Sequence, residues 1–104
     1  MAESVILEKS KSFAFRIIKL YKYLTEEKKE FILSKQLLRS GTSIGANAKE
    51  GAFAQSKADL CARLFVAQKE CAETEYWLEL LYESNYINGF IQLCLRYWWR
   101  RNYT

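Results

Sequence analysis

A chain of 104 residues is long enough for one domain, residues 1–104, and too short for a second core. It contains no proline, which favours long uninterrupted helices over a multi-stranded sheet, and half of it is apolar. The absence of histidine excludes Glu-x-x-His metal pairs, zinc sets completed by histidine and histidine-activated nucleophiles.

The net charge of +4 is unevenly placed. Residues 1–40 carry nine Lys and Arg against five Asp and Glu, residues 41–84 carry four against seven, and residues 85–104 carry three against none. A basic front and end permit nucleic acid as a partner, although solvated mixed surfaces produce such balances too. In "MAESVILEKSKSF" the apolar run is broken at once by Glu8 and Lys9, so neither a signal peptide nor a membrane span is expected. The expected setting is cytoplasmic, with no membrane partner. Cys61, Cys71 and Cys94 form no metal-ligand spacing and read as small buried hydrophobes.

From Ser4 to Leu24, Ile6, Phe13, Ile17, Leu20 and Leu24 form an apolar stripe that Ala14, Ile18 and Tyr21 widen, which predicts a core-facing amphipathic helix. Lys11, Phe15, Lys19 and Lys22 line up on its other side. Thr25, followed by Glu26 and Glu27, reads as the N-cap of a second helix carrying Phe31, Leu33, Leu37, Leu38, Ile44 and Ala48.

That helix runs into "RSGTSIGANAKEGAFAQS", the one stretch that could pass for a phosphate loop. Gly41 to Gly45 leaves three residues and Gly45 to Gly51 leaves five, and neither is the spacing of a Walker or dinucleotide loop. Gly41, Gly45, Ala48 and Ala52 instead put a small residue on every turn, which favours close helix packing. Arg39, Asn47 and Glu50 lie near this face, either as a binding site or, as the favoured reading, as a polar network with Arg39 meeting an acidic residue of the third helix.

The chain turns between Gly51 and Gln55, and Ser56 with Asp59 approximates a capping box. Leu60, Leu64, Ala67, Cys71, Thr74, Leu78 and Leu81 alternate steps of four and three, a bundle seam on a third helix from Lys57 to Ser84. After "SNYING", Asn88 caps a short fourth helix from Gly89 to Arg101 that is apolar on nearly every side. The expected architecture is all-α, an up-down-up-down four-helix bundle. Tyr76, Trp77, Trp98 and Trp99 are aromatics that one small bundle cannot bury, and they are the expected self-association surface. No catalytic constellation, metal site or cofactor motif emerges, so an enzyme is not expected.

The stretches "QLLRSGTSIGANAKEGAFAQSKADL" and "FVAQKECAETEYWLELL", with "LEKSKSFAFRIIKLYKYL" before them, resemble the signature of the bacterial 23S ribosomal RNA intervening-sequence proteins. The likeness covers about residues 7 to 87 and implies an up-down bundle that assembles into a homo-oligomer. Arg39, Ser40, Thr42, Ser43, Ile44, Gly45, Asn47, Glu50, Glu70, Glu73, Tyr76 and Trp77 match the signature and are read as architecture; Gly41 and Ala48 join Arg39, Gly45, Asn47 and Glu50 as helix-packing positions. A more distant likeness is to the accessory variability determinant of diversity-generating retroelements, a basic pentamer that binds a reverse transcriptase and nucleic acid. It implies a pentamer here and a reverse transcriptase or other protein as partner. The ending "GFIQLCLRYWWRRNYT" departs from the family's longer, charge-rich fourth helix. Two functions are thus expected: a non-enzymatic assembly module, or direct RNA or DNA binding through Lys11, Lys19, Lys22, Lys28 and Lys29.

Overall fold

The heptad-like spacing of apolar and small residues produces three helices in the computed structural model, which describes residues 2–89. They are α1 (Ala2–Glu26), α2 (Leu33–Gly51) and α3 (Lys57–Glu83), and the class is all-α. The expected fourth helix beyond Gly89, with Trp98 and Trp99, lies outside the described residues.

Each helix buries one seam. On α1 it is Ser10, Phe13, Ile17, Leu20 and Leu24, with Ser10 at the position where the apolar stripe skips a turn. On α2 it is Ser34, Leu37, Gly41, Ile44, Ala48 and Gly51, with Ser40 beside it. On α3 it is Ala67, Thr74, Leu78 and Leu81. Phe13, Ile17, Leu24, Leu37, Leu78 and Leu81 are almost wholly buried, each worth about 1.5–3 kcal/mol of transfer free energy. Contacts between Gly41 and Ile17, and between Gly45 and Ser10, pair rising with falling numbers, so α1 and α2 run antiparallel. Bonds from Glu50 to Arg63 and from Ser40 to Thr74 do the same for α2 and α3. The central helix is therefore α2.

The first turn departs from expectation. Thr25 does not cap α2: it lies inside α1, where its hydroxyl donates to the carbonyls of Tyr21 (3.0 Å) and Lys22 (3.2 Å). Phe31 precedes α2 and is exposed. The capping group is Glu30, whose carboxylate accepts from the amides of Ile32 (3.2 Å), Leu33 (2.9 Å) and Ser34 (2.7 Å). The Ser34 hydroxyl donates back to the Glu30 carbonyl at 2.7 Å. Burial alone would raise the Glu30 carboxyl, but the amides of Leu33, Ser34 and Ile32 and the Ser34 side chain outweigh it, holding the group below its usual range.

The other two boundaries follow familiar chemistry. Asp59 N–H donates to Ser56 Oγ (3.1 Å) and Gln55 N–H donates to Asp59 Oδ2 (3.3 Å), a reciprocal cap that opens α3. At its end Asn85 adopts φ 67°. The amides of Tyr86 and Asn85 there bond back to Leu81 (2.9 Å) and Tyr82 (3.0 Å), a Schellman closure built on asparagine.

Candidate functional site

The residues singled out from the sequence separate into three places. The first joins α2 to α3. Arg39 Nη1 donates to Glu70 Oε2 at 3.4 Å, its Nη2 reaches Glu73, and its Nε donates to Gln36 at 3.2 Å. Glu73 also accepts the indole N–H of Trp77 at 3.2 Å. Glu50 meets Arg63 of α3 at 2.9 Å. Asn47 does not reach across: it donates to the Ser43 carbonyl of its own helix at 2.8 Å. Arg39 is nearly half exposed, so this is a surface cluster rather than a buried charge network.

Beneath it, Thr74 and Ser40 share a buried hydroxyl contact of 2.9 Å. Each hydroxyl carries one hydrogen. The pair is satisfied when Ser40 donates to Thr74 and Thr74 donates to the Glu70 carbonyl at 2.7 Å.

The second place is α3 itself. Tyr76 is exposed, whereas Trp77 is half-buried against the core, its ring 5.3 Å from that of Tyr76. The exposed apolar run Leu64, Phe65 and Val66 lies about three turns earlier, with the Lys69 ammonium 4.9 Å from the Phe65 ring centroid. Cys61 is exposed, contrary to its reading as a buried hydrophobe. Cys71 is half-buried and its thiol donates to the Ala67 carbonyl at 3.0 Å. Burial, with Glu70 and Glu75 adding to it, pushes that thiol up to about 12, far from a reactive thiolate. Cys94 lies outside the described residues.

The third place is a groove of about 360 Å³ between α1 and α2. Leu7, Ala14, Gly45 and Ala46 form its apolar part, Ser10 and Thr42 supply hydroxyls, and Lys11 and Lys49 enter from opposite helices. Among the described residues no carboxylate lines it. The exposed ring of Phe53 stands 6.0 Å from the Lys49 ammonium. Lys19, Lys22, Lys28 and Lys29 are exposed but do not line this groove. Lys28 sits 6.0 Å from the Tyr23 ring, and Lys29 holds φ 54° in the turn.

Compared with known proteins, residues 2–94 match the family described as 23S rRNA-intervening sequence protein. The chain belongs to that family. The fold is also similar to a crystal structure at 1.70 Å resolution, that of a protein with unknown function from the S23 ribosomal protein family of Bacteroides thetaiotaomicron VPI-5482. The two share 51% identity and a TM-score of 0.92, covering 94% of this chain and 88% of the other. No curated protein matches the chain. Among the described residues no group of three or more Cys, Asp or Glu side chains is placed to hold a metal, and no helix is long and apolar enough to cross a membrane. Within this family member, Lys49 in the groove lining and Phe53 beside Lys49 are the residues that sequence reasoning missed. The available signal was an aromatic set alone among small residues in "GAFAQS", four positions after a lysine.

Proposed function

We propose that this chain is a non-enzymatic assembly module that binds copies of itself in the cytoplasm and scaffolds an RNA or a nucleic-acid enzyme. The carrying observation is the exposed start of α3. Leu60 and Leu64 continue the seam of Ala67, Thr74, Leu78 and Leu81, yet Leu64 is 37% exposed and its neighbours Phe65 and Val66 are 57% and 38% exposed. An apolar seam extending past its cover marks a protein interface. A homo-oligomer closed as a five-fold ring, with a four-helix protomer, is the form that the distant resemblance supports. A reverse transcriptase is the scaffolded enzyme that it suggests. Light-scattering mass across micromolar concentrations tests the reading: a pentamer of the 12.3 kDa chain is expected, and a monomer overturns it.

A second reading is direct RNA or DNA binding. Lys11, Lys19, Lys22, Lys28 and Lys29 are all exposed, and none is in an ion pair among the described residues. Retardation of nucleic acid that weakens steeply with salt supports it, and no retardation at low salt removes it.

A further inference from the structure

We propose that the groove between α1 and α2 seats single-stranded nucleic acid, with phosphates between Lys11 and Lys49 and a base stacked on Phe53. It rests on the second reading above and says where and in what form the polymer binds.

Three observations converge on one occupant. Lys11 of α1 and Lys49 of α2 line the same concavity from opposite walls, and among the described residues that line it there is no acid to neutralise them. Of the carboxylates adjacent in sequence to the lining residues, Glu50 is paired with Arg63 at 2.9 Å, and Glu8 is exposed outside the lining. A polyanion is thus the complementary ligand. The remaining lining is small or apolar, which lets a sugar or base lie close to the helix backbones. Finally, Phe53 leaves 78% of its surface in solvent while standing beside Lys49. A basic groove with an aromatic platform at its side is the chemistry that holds single strands, because every base offers a face to stack. A duplex buries those faces in its own stack and presents a convex ridge of phosphates, so it would leave both the concavity and Phe53 unused.

The test is fluorescence anisotropy of a labelled oligouridine RNA, titrated against the full chain over a range of salt. Lys11→Ala with Lys49→Ala is expected to flatten the log–log salt slope by about 1.4, since each single-strand phosphate contact contributes about 0.7. Phe53→Ala is expected to weaken binding about 5- to 150-fold at fixed salt with the slope unchanged, and Phe53→Tyr to restore it. Lys35→Ala with Lys57→Ala removes the same charge away from the groove and should leave the slope as it was. If that control flattens the slope equally, only net charge is being read and the groove is overturned. If the groove variants bind like wild type while Lys19→Ala with Lys22→Ala flattens the slope, the groove falls and the nucleic-acid reading stands. No oligouridine binding at low salt overturns both, including the case in which polyglutamate binds through Lys11 and Lys49 instead. The altered side chains are exposed, and unchanged helical circular dichroism confirms that each variant is folded.

Discussion

Two glycines of α2 look alike in sequence and differ in what surrounds them. A Cβ at Gly41 would lie 2.8 Å from both Cγ1 and Cγ2 of Ile17, a wholly buried, β-branched side chain with no room to swing aside. A Cβ at Gly45 would meet Ser10 Oγ at 3.3 Å and its Cβ at 3.5 Å, contacts that a shift of a few tenths of an ångström relieves. Alanine gains about 1 kcal/mol of helix propensity over glycine at either position. Gly41→Ala should nonetheless lose about 1–2 kcal/mol through overpacking, while Gly45→Ala stays within about 0.5 kcal/mol of wild type. Urea midpoints decide it, and equal stability of the two variants would show that α1 moves away freely. The pattern of small residues thus announced close packing, but which glycine bears it depends on the facing side chain. That information sits about thirty positions away in the chain and is set only when the helices dock.

Elements were legible where one periodicity ran unbroken. The spacing of α3 and its Ser56–Asp59 cap could be read directly, because both are local. The acidic partners of Arg39 could be anticipated in kind, since Glu70 and Glu73 lie beside the seam. That cluster is exposed, so it contributes at most about 1 kcal/mol, whereas the Thr74–Ser40 contact beneath it is buried and would be costlier to break. The start of α2 was misread because Thr-Glu-Glu imitates a cap. A threonine at the end of a helix can instead bond back to the preceding turn, and a glutamate five residues on took the capping role. Glu30 has a pH signature. Its folded carboxyl lies below the unfolded value near 4.5, so its contribution is complete above that pH and is lost as pH falls through the folded value. Glu30→Gln should therefore cost about 1–2 kcal/mol at neutral pH. Denaturation at a series of pH values should show that gap narrowing below about pH 4.5. A gap independent of pH would mean that the charge is not what holds the turn.

For the whole molecule, the partition of charge and apolar surface bears on how copies would meet. The half built on α1 and α2 is basic, with ten Lys and Arg against six Asp and Glu over residues 2–51, and α3 is acidic, with six Asp and Glu against three Lys and Arg over residues 57–83. Unlike surfaces favour a head-to-tail contact, which closes into a ring when its rotation allows. Tyr76 and Trp77 were the anchors expected within α3, but Trp77 packs on the core, so truncating it would damage the fold as well as any interface. Phe65 offers a cleaner probe, being 57% exposed and in contact only with the Lys69 ammonium among the described rings and cations. Phe65→Glu places a charge where an apolar contact is proposed, and its neighbour Leu64→Gln removes the edge of the seam. Together they should lower the light-scattering mass at micromolar concentration while far-ultraviolet circular dichroism keeps its helical amplitude. A mass that stays at the wild-type value would move the interface off the start of α3, leaving exposed Tyr76 or the turn residues Phe31 and Ile32 as the next surface to alter. A mass that falls together with helicity would instead show that Leu64 and Phe65 stabilise the protomer itself.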